Sequence, residues 1–416
     1  MTHAYSRPII LLNALPAYVA AAKKIGFDQI FVIWHHMNET YAWQKVFALL
    51  REQVPLFDVL DFNAAGILED RLQAILSVWP DAPMLHVGPD ELIDRYLEVA
   101  ERFEKLLNPL SSYAPFRDKS LMRDLLAKHQ DSAVAHLRVS QLGDLGQALQ
   151  AFAGPSILKP AISSGSRNIL AITDAASAEC ALQYWQDKTH AGEWQELVLE
   201  EELTGTQYSV EGLSLEGRHH FIGITEKFPV RAPNFVEAGG FFPANLSEAS
   251  RNLVFECVKV FLDATGYQCG FTHTEVFVTS RGPRIVESQA RLGGLIPMLV
   301  EASTGKSMEE ALLRYVADGS AVEEFVSTKV AFLGIFAFEM GQTLEVVTGI
   351  EATKSLPFVE MANIWAKPGV PLVRPKTNAE RHGYAVVTGA TFREAEQNFA
   401  LAAASLNPIY RSHHAM

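Results

Sequence analysis

Two alternating segments in the second half of the chain, Gly270-Phe271-Thr272-His273-Thr274-Glu275-Val276-Phe277 and Arg284-Ile285-Val286-Glu287-Ser288-Gln289-Ala290-Arg291, are separated by Thr279-Ser280-Arg281-Gly282-Pro283. Turn-forming residues between two such runs predict an antiparallel hairpin. Side chains two apart on a strand project from the same face. His273 and Glu275 therefore share a face, as do Glu287, Gln289 and Arg291 wherever the extended conformation continues. The hairpin gathers two carboxylates, an amide and a guanidinium on one surface. Such a set suits Mg²⁺, a hard cation that takes oxygen ligands and completes its shell with water and phosphate oxygens. The arginine beside it can hold a carboxylate or phosphoryl oxygen in forked hydrogen bonds. From these residues alone, a solvated strand face with cross-strand ion pairs is an equally good account.

At 416 residues the chain exceeds what one core usually organises, so roughly two to four compact units are expected. Its 48% apolar and 20% charged residues are those of a folded chain. A formal charge of −13, with no clustered run of Lys and Arg, argues against a broad nucleic-acid surface, so anionic ligands need local cationic pockets. Cys180, Cys257 and Cys269 lack CxxC spacing and predict neither a disulfide framework nor a structural zinc site; a reducing cytoplasm fits best. The uncharged stretch from Ile9 to Ala22 is shorter than a membrane span and runs straight into Lys23-Lys24 and the apolar Ile30-Phe31-Val32-Ile33. It reads as strand, helix and strand in place of a secretory leader.

The same rhythm, with apolar runs at Pro8 to Leu12, Phe31 to Ile33 and Phe57 to Leu60, predicts a parallel α/β unit up to about residue 110. No GxGxxG follows its first strand, so a dinucleotide site has no phosphate loop. His35-His36 has no spaced partner ligands and reads as packing or loop. Asp118 to Lys128 reads as an amphipathic helix capped by Asp118, with Leu121, Leu125 and Leu126 inward. Ser156 to Pro160 and Ile169 to Thr173 form a hairpin around the loop Ser163-Ser164-Gly165-Ser166-Arg167-Asn168. A strand at Glu196 to Leu199 opens into Glu200-Glu201-Glu202-Leu203-Thr204-Gly205, and Tyr208 to Ser214 alternates as another. Phe228 to Pro243, rich in Pro, Gly and Phe, reads as a mobile lid with Gly239-Gly240 as hinges.

Taken in order, Asp118-Lys119, Leu158-Lys159-Pro160, the Ser163 loop, Glu200 to Gly205, Gly270 to Glu275 and Ile285 to Gly294 resemble the motifs of the ATP-grasp superfamily. Within it, GFTHTE and VESQARLGGLIP most resemble the dipeptide-forming L-amino acid ligases of the bacilysin-synthetase type. The resemblance implies an α/β and α+β multidomain chain of the ATP-grasp fold. Its units would be an N-terminal parallel α/β domain (1–112), a small lid subdomain (113–190), a nucleotide and metal core (191–320) and a C-terminal α+β domain (321–416).

By the same resemblance Lys119 and Lys159 contact ATP phosphates, Ser164, Gly165 and Ser166 fold over them, and Glu200, Glu202 and Leu203 form the linker that meets adenine. Gln207 stands where a ribose-binding glutamate is common, so Glu200 or Glu202 is an alternative for that contact. Glu275, Glu287 and Gln289, the last in place of the usual Asn, are the expected ligands of Mg²⁺, with Mn²⁺ as an alternative. Lys227 and His273 are expected to orient carboxylate or phosphate, and Arg291 to stabilise the reacting acyl and phosphoryl oxygens. Leu295 stands where some dipeptide ligases carry a bulky aromatic, which implies a roomier pocket.

The implied activity is ATP-dependent joining of two amino acids through an acyl phosphate, releasing ADP and phosphate. The product is compatible with a secondary-metabolite dipeptide such as a tabtoxin-like antimetabolite. The alternatives are a carboxylase-like or other ligase acting on a different carboxylate, and a non-catalytic ATP-binding regulator. Expected partners are small-molecule amino acids, with a homodimer left open and neither nucleic acid nor membrane involved.

Overall fold

Four apolar runs, β1 (Pro8–Leu12), β2 (Gln29–His35), β3 (Leu56–Leu60) and β4 (Met84–His86), pair in parallel in the order β3-β2-β1-β4. Their runs are continuous because both sheet faces are covered. Ile9, Leu11 and Val32 enter one core cluster, and Ile10, Leu12 and Ile33 enter another. The expected strand–helix–strand start is present, with Pro16 opening the helix Pro16–Ile25 and Gly26 closing it at φ 98°. The computed structural model describes residues 7–36, 41–88, 92–128, 133–228 and 235–411. Among them no helix is long and apolar enough to cross a membrane.

A second sheet is antiparallel, with β5 (His136–Val139), β6 (Ser156–Pro160), β7 (Leu170–Ile172) and β8 (Leu197–Glu201) in the order β5-β8-β6-β7. Helices Leu142–Ala151 and Ala175–His190 cover one face around the buried Trp185. The hairpin expected around the Ser163 loop is β6 with β7.

The remaining strands are β9 (Thr206–Leu215), β10 (Arg218–Lys227), β11 (Gly239–Phe242), β12 (Gly270–Thr279), β13 (Gly282–Gln289), β14 (Val330–Ile335), β15 (Leu344–Thr348), β16 (Val359–Ile364), β17 (Gly383–Gly389) and β18 (Asn407–Tyr410). Eight of them form one antiparallel sheet in the order β13-β12-β9-β10-β11-β14-β17-β16, and β15 pairs with β18 as a separate ribbon. Position 320 lies between helix Met308–Asp318 and β14, and the large sheet continues across it. The lid segment expected from Phe228 to Pro243 lies partly outside the described residues, at 229–234. Its later part is β11, held between β10 and β14, so Gly239 and Gly240 are strand residues and not hinges. Close approach explains these glycines: a Cβ on Gly239 would lie 2.1 Å from the Leu333 carbonyl oxygen, and one on Gly240 2.4 Å from that of Glu226.

Asp118 caps the helix Lys119–Leu126, its Oδ1 accepting from Ser120 N (2.7 Å) and Leu121 N (3.3 Å). The inward face keeps Leu125 and Leu126 of the expected leucine stripe and departs from it at Leu121. Leu121 is exposed, while Met122 and Leu126, one turn apart, pack with Val210 and Val254, and Arg123 is buried beside them. Helix Glu248–Thr265 and β9 supply that second surface, which the periodicity of one helix does not reveal.

Asn108 joins the N-terminal unit to the start of β12. Its Oδ1 accepts from Gln268 N (2.7 Å) and Cys269 N (2.8 Å), and its Nδ2 donates to the Cys269 carbonyl (2.8 Å) and the Tyr113 hydroxyl (2.7 Å). Every hydrogen-bonding position of this buried amide is used. Asn108→Ala strands two backbone donors and an acceptor, and is expected to lower stability by about 2–4 kcal/mol. Urea denaturation checks this; a midpoint shift worth less than about 0.5 kcal/mol would show that the amide does not carry the junction.

Candidate active site

β12 and β13 form the expected hairpin, with Glu275 directly opposite Glu287. The register shifts between Glu275 and Val276, whose partner is Ile285, leaving Val286 as the extra residue of a β-bulge. Extended backbone ends at Gln289, so Arg291 does not continue the face of Glu287 and Gln289. Instead its Nη1 donates to the Leu292 carbonyl (2.8 Å), and the residue lines a 40 Å³ cavity with Tyr18, His86 and Tyr113 of the N-terminal unit.

Around Glu275 the buried charges pair with one another. Lys227 Nζ donates to Glu275 and to Glu237 Oε1, the latter at 2.5 Å, while Gln207 Nε2 donates to Glu275 Oε2 at 2.9 Å. His273 lies 3.7 Å from Glu275 and shares a 2.7 Å hydrogen bond with the fully buried Glu211. Burial opposes each charge, and the partners overcome it. Glu237 and Glu275 raise the Lys227 ammonium, Lys227 and His273 hold Glu275 well below the usual carboxylate range, and Glu211 lifts His273 to about 9. Gln207 and Lys227, expected at ribose and phosphate, are both engaged on Glu275 in this arrangement.

A second group surrounds Glu287. Lys119 Nζ donates to the Ser163 carbonyl (2.7 Å) and lies 3.4 Å from Glu287 Oε2, and Gln289 Nε2 donates to Glu287 Oε1 (3.2 Å). With Arg117, Ser164 and Arg167 these residues line a cavity of 260 Å³. The loop above is tightly turned. Gly165 and Ser166 adopt φ 67° and 61°, and Arg167 Nε donates to the Ser164 carbonyl (3.0 Å). Opposed carboxylates with an amide beside them form a hard-oxygen donor set, and the Lys227 ammonium already on Glu275 shows that this end accepts a cation.

Lys159 on β6 and Glu200 on β8 are bonded to each other, and Arg123 Nε donates to the other oxygen of Glu200 (2.7 Å). Burial pushes Glu200 up, but Arg123 and Lys159 more than offset it and bring the carboxyl to about 2. Burial holds Lys159 below its ordinary value, which Glu200 offsets only in part. Both Glu200 oxygens thus carry a cation, and the residue is buried. Of the two glutamates expected at ribose, Glu202 follows β8 in the connection to β9, as does Leu203. Arg123 was not foreseen. An arginine on an amphipathic helix reads as solvated, and the available signal was its place one turn after Lys119.

His35, His36 and Asp61 bring ligand atoms within 4.8 Å of one another. His35 Nδ1, however, accepts from Phe62 N (3.0 Å), so metal binding through its other nitrogen would require an imidazolate. The expected packing role fits this better.

The parallel N-terminal sheet, the small antiparallel sheet and the large sheet with its acidic hairpin make up the ATP-grasp fold. Residues 152–298 match the ATP-grasp domain profile. The chain is similar to the L-amino acid ligases, and residues 339–411 match L-amino acid ligase C-terminal domain 2. It is 28% identical to alanine–anticapsin ligase of Bacillus subtilis (strain 168) over 225 residues, covering 49% of this chain and 47% of that one. It is 25% identical to dapdiamide A synthase of Enterobacter agglomerans over 213 residues, covering 50% of each. The chain thus spans about half the length of the curated relatives it matches. It shares its fold with the L-amino acid ligase from Bacillus licheniformis, with a TM-score of 0.81 at 18% identity over 98% of this chain and 99% of that structure.

The depressed Glu200 pKa has a definite sign. Folded Glu200 titrates near 2 against an ordinary 4.5, so its stabilisation is complete above pH 4.5 and lost as pH falls toward 2. The stability difference between the wild type and Glu200→Gln should shrink by about 3 kcal/mol between pH 5 and 2 in urea denaturation. A difference independent of pH would take Glu200 out of the ion pair.

Proposed function

We propose that this protein is an ATP-dependent carboxylate–amine ligase that joins two amino acids through an acyl phosphate. One observation carries the reading: in a chain of net charge −13, Arg117, Lys119 and Arg167 line one cavity with Glu287 and Gln289, and behind it Lys159 lies near enough to Lys119 and Arg123 to feel the charge of both. Their positive charge outweighs that of Glu200, which suits a polyphosphate. The similarity to alanine–anticapsin ligase and dapdiamide A synthase supports amino acids as substrates and a secondary-metabolite dipeptide as product.

In this reading Lys119 and Lys159 take the phosphates, and the Ser164-Gly165-Ser166 turn covers them and excludes water. Glu202 and Leu203 lie on the linker side for adenine and ribose. Glu275, Glu287 and Gln289 would hold Mg²⁺ or Mn²⁺, which when bound neutralises phosphoryl oxygens. Lys227, between Glu237 and Glu275, and His273, beside Glu211, keep that end of the site charge-balanced and orient the substrate carboxylate. Arg291, at the junction with the N-terminal unit, reaches toward the acyl group as its oxygens gain charge.

Amino-acid pairs incubated with ATP and Mg²⁺ should release phosphate only when both are present, with a dipeptide visible by mass spectrometry. Phosphate release that needs bicarbonate, or that ignores amino acids, would refute the reading. Glu287→Gln should abolish most metal-dependent turnover while the fold, followed by circular dichroism, is kept. Arg291→Ala should slow single-turnover ligation by about two to three orders of magnitude, or roughly 3–4 kcal/mol, with little change in binding of a non-hydrolysable ATP analogue. Lysine at that position should rescue only part. Equal loss of binding and ligation would move Arg291 away from the reacting atoms.

A further inference from the structure

We infer that Arg123 is a positioning residue: it retains the Glu200 carboxylate so that Lys159 can leave it for the phosphates of a bound nucleotide. The inference rests on the ATP-binding reading above. Lys159, Glu200 and Arg123 are 3%, 4% and 1% exposed, so the triad lies in a water-poor interior. One Glu200 oxygen takes Lys159 and the other takes Arg123. With Lys159 as sole partner, its departure would strand a buried carboxylate, and the pair would hold together against the ligand. Arg123 removes that obstacle, because Glu200 keeps a cation after Lys159 turns away.

The guanidinium can do this because it is anchored independently of Glu200. Its Nη1 donates to the Ile285 carbonyl (2.5 Å) and its Nη2 to the Val286 carbonyl (3.1 Å). Successive carbonyls on a regular strand point to opposite sides, and the bulge at Val286 lets one side chain donate to both. The next residue is Glu287, so the anchor also joins the lysine end of the site to the acidic hairpin. Arg123 and Lys119 both disfavour charge on Lys159, which further weakens its hold on Glu200.

The test is calorimetric binding of β,γ-imido-ATP and of adenosine to the full-length wild type, Arg123→Gln, Arg123→Lys and the double variant Arg123→Gln/Glu200→Gln, with circular dichroism as a fold check. Arg123→Gln should weaken the triphosphate about a hundredfold and adenosine less than about twofold. Arg123→Lys, which keeps a cation on Glu200, should hold the ratio of the two affinities within about fivefold of wild type. The double variant has no stranded carboxylate to detain Lys159 and should recover most of the loss, a rescue that a purely structural role would not give. A folded Arg123→Gln with an unchanged ratio, equal losses for both ligands, or a double variant as weak as the single would each overturn the inference. Should Arg123→Gln not fold, the double variant and Arg123→Lys decide: ratios retained in both support the inference, and collapse in either overturns it. A wild type that binds neither ligand overturns the nucleotide reading itself, whereas wild-type binding with insensitive variants overturns only the role of Arg123.

Discussion

A carboxylate shut away from water needs compensating charge or hydrogen bonds, and at Glu200 meeting that need brings three parts of the chain together. Lys159 reaches it along the small sheet, and Arg123 reaches it from the helix capped by Asp118. The same guanidinium extends to the bulged strand of the large sheet. The cavity is bounded by these elements, so its walls are set by one ionic node before any ligand enters.

Around the acidic hairpin, charged and polar groups satisfy one another. Lys227, Gln207 and His273 surround Glu275, while Lys119 and Gln289 attend Glu287. Lys227, His273 and Glu275 stay charged in this setting because of such partners. Any ligand that draws on one of these groups would therefore have to exchange partners with it.

Much of this was legible from local chemistry. Alternation around a turn marked the β12–β13 hairpin, and the Asp118 cap and the β6–β7 hairpin followed from residue type and spacing. What escaped depended on a second surface. Leu121 looked inward as readily as Met122 until helix Glu248–Thr265 and β9 defined the buried side. Gly239 and Gly240 look like hinges in a Pro- and Gly-rich segment, and only the neighbouring backbones of β10 and β14 show why side chains are excluded. A one-residue bulge leaves no mark in an alternating pattern, so the end of the strand before Arg291 and the reach of Arg123 were both hidden.

The continuity of the eight-stranded sheet limits how such a chain could be recombined with a relative. A crossover near residue 320 looks natural in sequence, since it falls between a helix and a strand. It would nevertheless take β14 from one parent and β11 from the other, and these two are hydrogen-bonded neighbours from Gly239 opposite Gly334 to Phe242 opposite Ala331. Each half would carry a raw strand edge needing the other's register. The small sheet, whose four strands pair only among themselves, is the more transplantable module.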